Sequence, residues 1–365
     1  MCDIMIPIAR PSIGDEEKKA VDAVLDSGMI AQGQKVKELE DDFAQYIGTK
    51  YAAATNNGTS ALHTALLACG IKEGDEVITT PFSFTATANS ILFCGARPVF
   101  ADIDADTFNI DAEKIEEKIT SKTKAVLIVH LFGNPCDMDR IKDVCKRHDL
   151  ILIEDACQAH GTEYKGQKVG SIGDCGVFSF YPTKNMTTGE GGMITTNSAD
   201  IDKKCRIIRD HGQDGRDNQV LLGYNYRMTD IQAAIGVEQL KKLEGFMEKR
   251  IANAIMLNEG LKDVRGIITP KMQAETRHAF NQYTIRVTQE FKISRDELIK
   301  KLKDAGICAF VYYPKPIYRQ KYYIGLGYKD NLKNAENAAK EVLSIPVHPS
   351  VSKKDIETII KIFIK

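Results

Sequence analysis

Between Tyr51 and about Asp210, short apolar runs alternate with stretches whose apolar residues recur at helical spacing. The runs KYAAAT (50–55), DEVITT (75–80), RPVFADI (97–103), KAVLIVHLF (124–132), LILIED (150–155), GVFSFY (176–181) and GGMITT (191–196) predict seven strands. Helix-length segments such as TSALHTALLACG and DMDRIKDVCKRHD lie between most of them. Strand–helix alternation of this kind predicts an α/β fold, a mostly parallel sheet covered by helices on both faces. Active residues in such sheets gather at the carboxyl ends of the strands.

A long helical region follows in GYNYRMTDIQAAIGVEQLKKLEGFMEKR (223–250), and the pattern then changes. A strand-like AFNQYTIRV (279–287), a helix DELIKKLKDAG, a strand-like CAFVYYP (308–314) and a terminal helix SKKDIETIIKIFIK predict a smaller C-terminal α+β domain. We therefore divide the chain into a large domain, 1–249, and a small one, 250–365. No repeat, low-complexity segment or Pro/Gly/Ser-rich linker is visible, so the two parts are expected to pack closely.

Composition narrows the function classes. A chain of 365 residues with 43% hydrophobic content suits roughly two domains with a substantial core. The 49 Lys and Arg nearly balance the 50 Asp and Glu, without blocks, so no nucleic-acid partner is expected. Lys300, Lys301 and Lys303 read as a solvated helix face. The clean apolar stretch AVLIV (125–129) is far short of a membrane span, and MCDIMIPIARP lacks the apolar core of a secretory signal. Nine cysteines without a C-x-x-C pair suit reduced, mostly buried thiols. A cytoplasmic protein without a metal site is the expectation.

Three segments carry chemistry. In ATNNGTSALHTALLACG (54–70) a strand ends at Thr55, Asn-Asn-Gly turns the chain, and a helix opens at Thr59 and Ser60. Free N–H groups at a helix start, flanked by hydroxyls, suit a phosphate; a simple N-cap is the alternative. In ILIEDACQAHG (151–161) Asp155 ends an apolar strand, where a carboxylate needs a partner. A salt bridge or a cofactor cation would serve, and Gln158 can reach the same neighbourhood. In FSFYPTKNMTTGEGG (178–192) Ser179 lies in a strand that ends at a proline, and Lys184 follows. It is either a solvated loop lysine or a buried amine used as a nucleophile. Asp155 and Lys184, 29 residues apart, would meet at one sheet edge. A phosphate cradle, a buried carboxylate and a strand-end lysine are together what pyridoxal phosphate requires.

The chain resembles the DegT/DnrJ/StrS family of pyridoxal-phosphate-dependent sugar-nucleotide aminotransferases, which share fold type I of the aspartate aminotransferase superfamily. The resemblance runs through IPIARPSIGDEE, QGQKVKELEDDFAQYIG (32–48), NNGTSALHTAL (56–66), GDEVITTPFSFTATANSI (74–91), VHLFGNPCDMDRI (129–141), IEDACQAHG, FSFYPTKNMTTGEGGM, GYNYRMTDIQAAIG (223–236) and LSIPVHPSV (343–351). It implies that Lys184 holds the cofactor covalently and moves protons, that Asp155 faces the pyridine nitrogen, and that Gln158 sits by the ring hydroxyl. Gly58, Thr59 and Ser179 would bind the phosphate with Ser60 nearby, and Phe84, otherwise a core phenylalanine, would stack on the ring. Asn225 resembles a residue that a partner subunit contributes to the phosphate site, which implies a homodimer with shared sites.

The activity so implied moves an amino group from an amino acid, expected to be glutamate, to a nucleotide-linked keto-sugar, with a UDP-linked 4-keto-6-deoxy sugar favoured. Relatives with histidine in place of this lysine are sugar dehydratases. Family members often show V-H-Y-P where this chain has VYYPKPIYRQ, with Tyr312 and Tyr318 in the neighbourhoods of two histidines. SGMIAQG (27–33) and DHGQDGR (210–216) are expected to approach the sugar nucleotide. The rival readings are a dehydratase or amino-acid lyase of the same fold, and a non-catalytic regulator.

Overall fold

A computed structural model describes residues 6–364; the opening MCDIM, used in the signal reading, and Lys365 lie outside the described residues. Helices α1 (Asp15–Ser27) and α2 (Gln34–Ile47) lead into β1 (Tyr51–Thr55), α3 (Gly58–Ala68), β2 (Glu76–Thr79), α4 (Ala86–Phe93) and β3 (Arg97–Phe100). Then come α5 (Ala112–Glu116), β4 (Thr123–Val129), α6 (Met138–Arg147), β5 (Ile151–Asp155) and a short side pair, β6 (Glu163–Tyr164) and β7 (Gln167–Lys168). β8 (Cys175–Ser179), β9 (Gly192–Thr196), α7 (Ala199–Arg209) and α8 (Asp230–Leu261) complete this part.

The seven predicted strands form one sheet in the order β1-β9-β8-β5-β4-β2-β3. Neighbours from β3 to β8 run parallel, while β9 is reversed against both β8 and β1. Alternation along β4 shows why its sequence is so apolar. Ala125 and Leu127 pack into the cluster that includes Leu62 and Leu66 of α3, whereas Val126 and Ile128 pack with Ile141 and Val144 of α6. Both faces are covered, so no position is left for a polar residue except at the strand ends.

The remainder builds a three-stranded antiparallel sheet from β10 (Ile267–Ile268), β12 (Tyr283–Val287) and β13 (Val342–Ile345); β11 (Thr276–Arg277) instead pairs with β6. Helices α9 (Arg295–Asp304), α10 (Lys321–Gly325), α11 (Lys333–Glu341) and α12 (Lys353–Ile364) accompany it. Its core joins Leu298, Leu302, Ile356, Ile359 and Phe363 to Ile285 and Ile345.

The predicted boundary at 249/250 falls inside α8. Ala233, Val237 and Met247 of this helix pack against the large sheet, and Ala254, Leu257 and Leu261 pack in the small core, so the chain passes between the two without a linker.

Three predicted elements differ. The long helix begins at Asp230 rather than 223, because Thr229 and Gln232 form a capping box there. In AFNQYTIRV the strand starts at Tyr283; Phe280 takes φ 43°, and the turn sends Asn281 and Gln282 elsewhere. CAFVYYP is not a strand: Phe310 makes one bridge to Ser344, and the tyrosines after it leave the sheet. Among the described residues no helix is long and apolar enough to cross a membrane.

Candidate active site

The carboxyl ends of β5 and β8 and the start of α3 open into one cavity of about 820 Å³. β5 and β8 are hydrogen-bonded neighbours, with Asp155 opposite Val177, so the two predicted segments do meet at one edge. Lys184 follows β8 in a tight turn, its N–H donating to the Tyr181 carbonyl at 2.9 Å. Gly58, Thr59, Ser60, Phe84, Asp155, Gln158, Ser179 and Lys184 all line the cavity, and Asn225 does not.

Asp155 is buried, and its carboxylate is kept in place from two sides. Thr87 Oγ1 donates to Oδ2 at 2.8 Å and the Cys157 N–H donates to Oδ1 at 3.2 Å. Neither is a cation, so the salt-bridge reading of Asp155 has no partner in the chain among the described residues. The preceding Glu154 points to the other face of β5. There it accepts from the N–H groups of Gly170 (2.8 Å), Ile172 (2.8 Å) and Gly173 (2.7 Å) and from His130 Nε2 (2.9 Å). His130 Nδ1 accepts from the Cys136 N–H, which leaves the ring proton on Nε2, and its own N–H donates to the Asp155 carbonyl at 3.1 Å. This fully bonded group fixes the backbone that carries Asp155.

The half-buried Lys184 amine has no hydrogen-bond or ion-pair partner among the described residues. Burial lowers its pKa from the ordinary lysine value, with the neighbouring Cys157 and Asp155 opposing in part. An amine so placed is neutral in a larger fraction near neutral pH than one in water, and so is available as a nucleophile and proton acceptor.

At the start of α3 the N-cap is Asn57: its side chain accepts from the Ser60 N–H at 2.9 Å, and the Ser60 hydroxyl bonds back to Asn56 and Asn57. Ser60 is thus committed to the cap, and the N–H groups of Gly58 and Thr59 have no partner among the described residues. Together with the Ser179 hydroxyl they form an anion cradle at a helix N-terminus. Only glycine fits at 58, since a Cβ there would lie 2.7 Å from the Ser179 Cβ.

Phe84 is 61% exposed although it lines the cavity, so it is not a core residue in one chain. Asn225 is exposed and bridges to Asp210, beside Tyr226, which does reach the cavity. Neither SGMIAQG nor DHGQDGR lines it. Of the two tyrosines singled out, Tyr312 is on the cavity wall, whereas Tyr318 is buried against Phe100 with its hydroxyl on Glu336 at 3.0 Å. Among the lining residues not anticipated from the sequence are Thr87, Asn281, Gln282 and Tyr313. Thr87 had a usable signal, a hydroxyl in the SFTATAN run beside the predicted aromatic.

A seven-stranded sheet of this topology, with an amine, a carboxylate and an anion cradle at its carboxyl edge, defines a pyridoxal-phosphate enzyme of fold type I. The chain belongs to the DegT/DnrJ/EryC1/StrS aminotransferase family, which matches residues 11–364. It is 43% identical to a pleiotropic regulatory protein of Geobacillus stearothermophilus (95% of this chain, 93% of the relative). It is 42% identical to GDP-perosamine synthase of Caulobacter vibrioides (97% and 96%) and 37% identical to UDP-4-amino-4,6-dideoxy-N-acetyl-beta-L-altrosamine transaminase of Campylobacter jejuni (96% and 94%). A Streptococcus pneumoniae protein solved in a PLP form superimposes with a TM-score of 0.93 at 32% identity, over 98% of this chain and 97% of that one, and its PMP form also scores 0.93. The residues of the cavity fit this cofactor: the glycine cradle accepts a phosphate, Asp155 lacks a cation, and Lys184 lacks a partner.

Proposed function

We propose that the enzyme transfers an amino group from glutamate to a nucleotide-linked keto-sugar, in the synthesis of an amino sugar for a surface polysaccharide. The observation that carries this reading is the convergence of Lys184, Asp155 and the Gly58–Thr59 cradle on one cavity large enough for a cofactor and a sugar. The bound cofactor supplies an electron sink for the carbon that loses its proton. Asp155 would face the ring nitrogen and keep it protonated. Gly58, Thr59 and Ser179 would hold the phosphate with Ser60 shaping the turn, Phe84 would cover the ring, and Gln158 would lie beside the ring oxygen. Lys184 would take the proton from the donor's α-carbon, hold it on its amine and return it on the far side of the transferred nitrogen, and would then work in reverse on the sugar. Glutamate leaves as 2-oxoglutarate and the keto-sugar as an amino sugar.

We favour a UDP-linked 4-keto-6-deoxy sugar, with GDP-linked sugars as the competing class. Incubating the enzyme and glutamate with UDP-, GDP- and dTDP-linked keto-sugars, and scoring the keto-to-amino mass change, tests both choices. Conversion of a GDP sugar alone overturns the nucleotide choice. No conversion of any sugar favours a lyase, a dehydratase or a regulator instead.

We further propose a homodimer with shared sites. Among the described residues Lys184 is the one Lys or Arg that lines the cavity, although the phosphates of cofactor and substrate would bring several negative charges. Asn225 lies outside its own cavity, as a residue offered to a partner would. Mixed dimers of Lys184→Ala and Asn225→Ala chains place both lesions in one site and none in the other. Where Asn225→Ala is itself substantially impaired, recovery toward half of wild-type activity is expected in the purified mixed dimer; activity no higher than the parents' average then contradicts the shared site. We place the enzyme in the cytoplasm, in keeping with the eight described cysteines, all free thiols. Residues 1–249 and 250–365 are proposed as its two domains, joined through α8.

A further inference from the structure

The side-chain amide of Gln158 is held in one orientation. Its oxygen accepts from the Phe132 N–H at 2.8 Å. Phe132 has φ 59° and Gly133 φ 89°, in a turn pressed so closely on this segment that a Cβ at Gly133 would lie 2.9 Å from the Gln158 backbone oxygen. The amide nitrogen is therefore the end that donates to the Tyr313 hydroxyl oxygen, at 3.1 Å. One amide hydrogen remains for the cavity. The hydroxyl hydrogen of Tyr313 also has no acceptor among the described residues.

Tyr313 is itself well anchored. Its ring stands edge-on to Phe82, with centroids 6.0 Å apart at 85°. Three residues earlier, the N–H and carbonyl of Phe310 pair with Ser344 of β13 at 3.0 and 2.8 Å. The ionisable groups facing it are Asp155 at the end of β5, Cys157 two residues on, Tyr312 beside it, and Lys184 on the same cavity. Burial pushes its phenol well above the ordinary value, so it remains a donor at any working pH.

We infer that Tyr313 and Gln158 form a two-donor clamp on the cofactor's ring oxygen, the one next to its aldehyde, which makes Tyr313 a cofactor contact supplied by the C-terminal part of the chain. This rests on the placement proposed above, with Lys184 at the aldehyde and Asp155 at the ring nitrogen. Two donors draw negative charge away from the ring oxygen. That charge is what favours a proton on the neighbouring lysine-bound nitrogen, so the clamp lowers the pH at which that proton is lost.

The test is a pH titration of the bound cofactor's absorbance in Tyr313→Phe, which keeps the ring and removes only the hydroxyl. Its midpoint should rise by about one pH unit. Gln158→Leu, a second route to the same oxygen, should also raise it. In parallel, borohydride reduction and peptide mapping locate the cofactor on each protein. Midpoints unchanged or lowered in both variants, with Lys184 still labelled, overturn the clamp and leave the cofactor placement standing. Absence of the label from Lys184 in the unaltered protein overturns the placement and the clamp together.

Discussion

The seven-stranded sheet and the C-terminal part of the chain meet at the same cavity but bring different chemistry to it. The sheet edge supplies Asp155 and Lys184, while the C-terminal part supplies Asn281, Gln282, Tyr312 and Tyr313, all neutral hydrogen-bonding groups. The Asp155 carboxylate stands where the backbone is fixed by pairing on both sides, β5 lying between β4 and β8. A carboxylate in a desolvated site needs its partners held to within a few tenths of an ångström. The neutral groups act by positioning: Asn281 Nδ2 donates to the Thr183 carbonyl at 3.2 Å and to Asn185 Oδ1 at 3.3 Å, on either side of Lys184. The contacts thus put Asp155 and Lys184 at the sheet edge and neutral groups of the C-terminal part around the segment that carries Lys184.

The widest separation is expected at Lys184. Lys184→Ala should lower turnover by about four orders of magnitude or more, since nucleophile and proton carrier are removed together. Steady-state assay of the reconstituted variant checks this, and a loss of only tenfold would move the proton transfer to another group. Asp155→Ala comes next. It should retain part of the cofactor yet lose on the order of a hundredfold or more in rate, and near-normal turnover would make Asp155 merely structural.

Behind Asp155 the expected effect is on stability. Burial alone would raise the pKa of Glu154, but His130 and the N–H groups of Gly170 and Gly173 overcome it and hold the carboxyl below its ordinary value. A folded-state pKa below the unfolded one gives stability that is complete above the ordinary carboxylate range and is lost as pH falls through the depressed value. Glu154→Gln should therefore destabilise the protein by about 3 kcal/mol at neutral pH, with the gap from wild type closing in acid. Urea midpoints measured across pH read it directly, and a gap that stays constant into strong acid removes the ionic explanation. The smallest effect belongs to the C-terminal part. Asn281→Ala should slow turnover only a few-fold, in line with about 1 kcal/mol for a neutral hydrogen bond. A loss as deep as that of Asp155→Ala would erase the difference between the two regions.

What the sequence disclosed follows the same division. Asp155 was visible because a carboxylate ending the run LILI demands an explanation, and Lys184 because it follows the adjacent strand. Tyr313 and Asn281 were not, since neutral polar residues within CAFVYYP and AFNQYTIRV look like alternating, half-buried strands until the turns at Phe280 and after Phe310 are seen. The seven strands were legible from their apolar runs, but not the reversal of β9, because burial on both faces carries no direction. Tyr318 lies in the neighbourhood of a family histidine, yet its ring packs on Phe100 and its hydroxyl belongs to Glu336, so it stands apart from the cavity. Spacing along the chain cannot tell two tyrosines on one turn-rich segment apart. Ser60 was read as a phosphate neighbour, and the capping box with Asn57 has first claim on its hydroxyl.

The central claim is that the unpartnered amine of Lys184 carries the cofactor. Borohydride reduction of the holoenzyme, followed by proteolysis and mass mapping, tests it most directly. The cofactor mass should appear on the peptide that contains Lys184 and vanish from it in Lys184→Ala; a label on a different lysine, or none after reconstitution with pyridoxal phosphate, contradicts the account.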